Sequence, residues 1–143
     1  MKNFINLLDI PTKDLRKILF DAKKRKKLRK KNSTLTPDQD LPLKGKFLIQ
    51  LFEKSSLRTR LSFYLAMKQL GGGVLNLKKD ELHLGDGGEN IEDTCKIISG
   101  YGDIFMLRTD SEKKMQKFKK NLSIPIVSGL SPDHHPVQIL SDI

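Results

Sequence analysis

The stretch Glu53-Lys54-Ser55-Ser56-Leu57-Arg58-Thr59-Arg60 is the part of this sequence best equipped for chemistry. It stands between an apolar run and a helical pattern, and it offers hydroxyls at Ser56 and Thr59 and a guanidinium at Arg58. A helix start presents unpaired N–H groups and the positive end of the helix dipole, which together suit an anion. Arginine adds a planar fork of donors matched to phosphate oxygens. Read alone, the same residues also make an ordinary capped helix start, and the two readings weigh about equally.

Two further groups shift that balance. Arg108 closes another apolar run, in Leu107-Arg108-Thr109, and His134-His135-Pro136-Val137-Gln138 follows a fourth run and a Ser128-Gly129-Leu130-Ser131-Pro132 turn. With Pro136 opening a helix, His135 falls near its cap and Gln138 within its first turn, so both can point into one crevice. Three strand ends then deliver polar donors to one edge, the edge at which an open parallel sheet binds its ligands. Two common phosphate motifs are absent: there is no G-x-x-x-x-G-K-[ST], and Gly71-Gly72-Gly73 follows a helix rather than a strand.

The elements that must carry these residues alternate along the chain. Thr12 is placed to cap a helix whose Leu15, Ile18, Leu19 and Ala22 share one face. A polar loop over Asn32 to Pro42 leads to a strand at Phe47 to Phe52. Leu61, Leu65, Ala66 and Leu70 give a second helix, stopped by the three glycines, and Val74 to Leu77 a second strand. A glycine-rich loop at Leu84 to Gly88 precedes a helix through Ile91, Thr94, Cys95 and Ile98. Ile104 to Leu107 is a third strand, Ser111 caps a lysine-rich helix, and Ile124 to Val127 is a fourth strand. This order predicts an α/β fold, a three-layer sandwich with a parallel sheet of about four strands, right-handed crossovers and helices on both faces. The final helix carries apolar Ile139, Leu140 and Ile143 and has no C-cap, which leads to the expectation that the chain is the front part of something longer.

Composition narrows the function classes. With 143 residues and 37% apolar content, the chain makes one domain with a modest core. Its net charge of +10 is concentrated: residues 13–31 hold 11 basic and two acidic side chains, leaving 16 against 15 for the rest. No aromatic residues interleave those lysines in the manner of a base-stacking surface, so the basic end of a solvated helix is preferred over a nucleic-acid module. A single cysteine, Cys95, excludes a disulfide framework and a cysteine-rich metal site. With no apolar run near the roughly 20 residues of a membrane span and no leader-like start, a cytoplasmic domain is expected.

F-E-K-S-S-L-R-T-R-L-S-F, L-G-x-G-G-E-N-I-x-D-T, M-L-R-T and H-P-V-Q, in this order, resemble the carbamoyl-phosphate domain of the ornithine/aspartate carbamoyltransferase family. The resemblance runs from about Phe4 to the last residue. It implies that Ser56, Arg58 and Thr59 hold the phosphate of carbamoyl phosphate, with the Leu57 backbone N–H helping. Leu57 stands where the family often has a polar residue, which removes a side-chain contact and keeps the N–H. By the same resemblance Arg108 bridges phosphate and carbonyl, His135 and Thr59 polarise the carbonyl oxygen, and Gln138 holds the carbamoyl amide. Arg108, His135 and Gln138 would be the catalytic residues, and no metal or organic cofactor is called for.

In that family a second domain holds the amino-acid substrate. The F-E-K start and Leu82-His83-Leu84-Gly85 are more similar to ornithine enzymes, with His83 where aspartate enzymes place a lysine that reaches a neighbouring subunit. The resemblance therefore implies an ornithine carbamoyltransferase of arginine metabolism acting as a trimer, with aspartate carbamoyltransferase as the alternative. A phosphate- or nucleic-acid-binding module without turnover, resting on residues 13–31, is the competing class; a steep salt dependence would favour it.

Overall fold

The computed structural model describes residues 3–82 and 90–143. Among them, β1 (Phe47–Phe52), β2 (Gly73–Lys78), β3 (Ile104–Arg108) and β4 (Ile126–Leu130) form one sheet in the order β2-β1-β3-β4, with every pairing parallel. The α-helices are α1 (Thr12–Leu28), α2 (Leu57–Gln69), α3 (Ile91–Tyr101), α4 (Glu112–Asn121) and α5 (Pro136–Asp142). The glycine-rich segment at Leu84 to Gly88, and His83 before it, lie outside the described residues.

Alternation along the strands divides the core in two, because successive side chains leave opposite faces. Ile49 and Leu51 of β1 and Phe105 and Leu107 of β3 meet Cys95 and Ile98 of α3 and Met115 and Phe118 of α4. The Phe105 and Phe118 rings stack there with centroids 5.2 Å apart. Leu48 and Met106 leave the other face, where Met67 and Phe63 of α2 cover them. This is the expected three-layer sandwich. Cys95 sits so deep that burial pushes its thiol up to about 12, which keeps it protonated and inert.

The strand order also fixes where a ligand can enter. The chain passes from β1 to β2 on one side, then returns across β1 to β3 on the other. Right-handed crossovers of opposite sense put α2 and α3 on opposite faces. At the reversal the C-terminal ends of β1 and β3 open a crevice.

Local chemistry sets the helix boundaries. Ser56 caps α2, its Oγ accepting from the Thr59 N–H at 3.4 Å, and Ser111 caps α4 by accepting from the Lys114 N–H at 3.2 Å. α2 ends in a paired-turn cap: Gly71, at φ +90°, donates its N–H to the Lys68 carbonyl, and Gly72 donates to that of Met67.

Three expectations are corrected. Thr12 is the first residue of α1, not its cap; Pro11 precedes the helix without a side-chain cap bond. The α1 stripe is not a core face, since no residue of α1 is buried and Ile18 is 42% exposed. α1 is fastened instead by ions: Arg25 Nη1 donates to Asp38 at 2.6 Å and Arg29 to the other Asp38 oxygen, while the Asp38 N–H donates to the Gln69 carbonyl at the end of α2. The fourth strand begins at Ile126, not Ile124, and runs through Ser128-Gly129 to Leu130 rather than turning there. Pro125 lacks an N–H, so only its carbonyl joins the sheet, accepting from Phe105 N–H at 2.9 Å. Gly129 stays extended beside Met106, where a Cβ would stand 2.4 Å from the Met106 sulfur.

Candidate functional site

The crevice brings together donors from three strand ends. Arg108, the last residue of β3, donates through Nη1 to Thr59 Oγ1 in the first turn of α2 and to the Gly129 carbonyl of β4, each at 3.2 Å. Thr59 Oγ1 also accepts from Ser56 Oγ at 3.0 Å. Ser56, Thr59 and Arg108 are thus one hydrogen-bonded unit at the N-terminus of α2. Leu57 and Arg58 are exposed beside it, with Leu57 65% exposed and its backbone in the first turn of the helix.

His135 occupies the N-cap position of α5, on the β4 side and without a side-chain cap bond, and Pro136 locks the first helical position. Its Nδ1 is buried and has no partner among the described residues, and the same holds for Arg108 Nε. Burial lowers the His135 pKa, and the positive charge of Arg108 lowers it further, against a smaller pull from Asp142. The imidazole is therefore held neutral at physiological pH. Burial likewise lowers the Arg108 pKa. Two half-buried donors with unused capacity, one charged and one neutral, meet at this edge.

Gln138 is not drawn into the unit. Its side chain is exposed and its amide donates to Asp142 Oδ1 at 2.8 Å, one turn further along α5. His83 lies outside the described residues. The sequence reading gave no role to Glu53 and Thr109, which flank the Ser56, Thr59 and Arg108 unit and bond to each other at 2.5 Å. Position alone was the signal: Glu53 directly follows the predicted first strand, and Thr109 lies two residues past the predicted third.

A cleft of about 490 Å³ lies elsewhere, between the C-terminal half of α1 and the 38–40 loop. Its charges satisfy one another, with Arg25 paired to both Asp38 and Asp40 and Arg29 paired to Asp38. Burial alone would raise the Asp38 carboxyl, but the hydrogen bonds from Arg29 and Arg25 outweigh it and hold its pKa below the usual value. That cleft is a fastening, and its ion pairs leave little for a ligand. No group of three or more potential metal-ligating side chains occurs among the described residues, and none of the described helices is long and apolar enough to cross a membrane.

Fold and site together define an α/β domain with a cluster of hydrogen-bond donors at its topological switch point. The chain belongs to the family described as aspartate/ornithine carbamoyltransferase, carbamoyl-P binding domain, which matches residues 2–143. It is 41% identical over 142 residues to an ornithine carbamoyltransferase of Agrobacterium fabrum, covering 99% of this chain and 45% of that protein. It superposes on an ornithine carbamoyltransferase from Pyrococcus furiosus with a TM-score of 0.88 at 36% identity, over 99% of this chain and 43% of the other. It also superposes on the catalytic subunit of M. Jannaschii aspartate transcarbamoylase with a TM-score of 0.82 at 36% identity, over 99% and 45% of the two chains. The chain spans less than half the length of these relatives.

Proposed function

We propose that this domain binds carbamoyl phosphate and presents its carbonyl carbon to the side-chain amine of ornithine, yielding citrulline and phosphate. The observation that carries the reading is Arg108, tied to Thr59 and Gly129 through one nitrogen and holding a second, buried nitrogen without a partner among the described residues. In the proposal Ser56, the Leu57 N–H, Arg58 and Thr59 surround the phosphate, and Arg108 spans phosphate and carbonyl.

The chemistry follows from where charge develops. The amine nitrogen bonds to the carbonyl carbon, the carbonyl oxygen gains negative charge, and the bond from that carbon to the bridging oxygen then breaks. Phosphate leaves with the electron pair, and the nitrogen gives up a proton. Donors aimed at the carbonyl oxygen stabilise the intermediate, and His135, Thr59 and Arg108 supply them. A neutral imidazole donates one hydrogen bond without adding a second cation beside Arg108. Gln138 would turn its amide oxygen to accept from the carbamoyl NH2 once substrate arrives.

The groups that orient ornithine are assigned in this proposal to a second domain of the family's kind. Assembly as a trimer, with His83 reaching a neighbouring copy, a cytoplasmic setting and a place in arginine biosynthesis belong to the same reading and rest on the family resemblance. Aspartate as acceptor is the second reading, favoured by the M. Jannaschii protein's 36% identity, the same as that of the P. furiosus enzyme, although its TM-score is lower, 0.82 against 0.88.

Calorimetric titration with carbamoyl phosphate tests the binding step. Saturable binding by the wild type, and its loss in Arg108→Leu with the fold intact, is the expected result. Equal affinity in the two proteins would overturn the assignment.

A further inference from the structure

Glu53 carries a buried carboxylate that the proposed reaction does not use. It follows β1 directly, three residues before Ser56, and its side chain is only 3% exposed. Both oxygens are committed: Oε2 accepts from Thr109 Oγ1 and Oε1 from Lys114 Nζ in the first turn of α4, each at 2.5 Å. The backbone follows the same path, with the Glu53 N–H donating to the Arg108 carbonyl at 3.0 Å and the Thr109 N–H donating to that of Leu130 at 3.0 Å. Thr109 Oγ1 also accepts from the Ser111 N–H at 3.1 Å, which joins the cap of α4 to the same knot.

We propose that Glu53, Thr109 and Lys114 form a positioning unit for the anion site, an inference that rests on the carbamoyl-phosphate reading above. Glu53 opens the loop that carries Ser56 and Thr59, and Thr109 directly follows Arg108. The Glu53–Thr109 bond therefore helps to fix the separation between the two halves of the site, beside the backbone bond from Glu53 to Arg108, without touching the ligand. Lys114 has a second task. An unpaired carboxylate behind an anion site would repel the ligand, and the Lys114 ammonium cancels that charge, so that Arg108 dominates the local potential.

A buried pair that served only the fold would change stability and leave the affinity of the folded chain alone. The test is calorimetry of the 143-residue chain with carbamoyl phosphate and, separately, with inorganic phosphate, beside urea unfolding of each variant. Thr109→Val, which keeps the shape and removes the hydroxyl, is expected to weaken both ligands about tenfold in protein that is still folded. Thr109→Ser, which keeps the hydroxyl, is expected to bind within about twofold of wild type. Lys114→Met is expected to weaken binding at neutral pH, and adding Glu53→Gln to it is expected to restore much of the loss by removing the stranded charge. Wild-type affinity in folded Thr109→Val would overturn the proposal; should that variant fail to fold, unchanged affinity in Lys114→Met would do so. Failure of the wild type to bind either ligand would instead overturn the carbamoyl-phosphate reading itself.

Discussion

Arg108 Nη1 stands 3.2 Å from Thr59 Oγ1, joining residues 49 positions apart in the chain. One hydrogen bond thereby links the end of β3 to the first turn of α2, across the crevice where the strand order reverses. The helix start and the arginine, each ordinary alone, become one hydrogen-bonded unit through that contact, the unit proposed to hold the phosphate.

Because Arg108 is half-buried and ties the first turn of α2 to β4, its removal should be costly. Arg108→Leu is expected to lower carbamoyl-phosphate affinity by about 2–5 kcal/mol, the usual effect of truncating one partner of a desolvated charge pair. Arg58→Ala is expected to act in the same direction. Calorimetry on the two variants checks both.

His135 gives a pH signature. Its folded-state pKa lies below the ordinary imidazole value of 6.5, so the unfolded chain binds more protons as the pH falls. Stability from this group is complete above 6.5, declines as the pH drops through that value, and levels off below the folded pKa. NMR titration of His135 should show a midpoint under 6.5, and Arg108→Leu should raise it only in part, since burial is the larger cause. A flatter urea-stability profile in His135→Gln between neutral and mildly acidic pH would accompany it.

Much of this architecture was legible in the sequence, for definite reasons. β1 and β3 are short apolar runs bounded by polar residues, and both lie where those runs lie. Ser56, Ser111 and Gly71 mark helix ends through chemistry confined to a few neighbours. The fourth strand was harder, because Ser128-Gly129 looks like a turn until Met106 packs against it. The Glu53–Thr109 bond joins positions 56 apart, and no local pattern announces it. The lysine run hid a different fact: Arg25 and Arg29 are bound to Asp38, whereas their lysine neighbours at 23, 24, 26 and 27 are exposed.

That contrast is testable. Changing Lys23, Lys24, Lys26 and Lys27 to Gln should leave carbamoyl-phosphate affinity nearly unchanged, because exposed charges are screened beyond roughly 8–10 Å at physiological salt. Asp38→Ala should instead lower stability by about 1–3 kcal/mol, since it takes the carboxylate partner from Arg29, leaves Arg25 with Asp40 alone and loosens α1. The Asp38 contribution is present above the usual carboxylate pKa and is lost as the pH falls below it, the sign of a carboxyl held low. Urea midpoints and calorimetry on the two proteins separate the effects.

Gln50 is fully buried in the middle of β1, and neither end of its amide has a partner among the described residues. Replacing it with Met keeps the volume and removes the desolvated polar group. The urea midpoint should rise, by up to about 1–3 kcal/mol in stability. A fall would mean that the amide is satisfied in solution.

The most direct test of the central claim is a ¹⁵N NMR titration of the 143-residue chain with carbamoyl phosphate. The account predicts saturable shifts at the backbone amides of Ser56, Leu57, Arg58 and Thr59, together with the side-chain signals of Arg108 and His135. Shifts confined to the lysine-rich end of α1, or none at the 56–59 amides at saturating ligand, would contradict it.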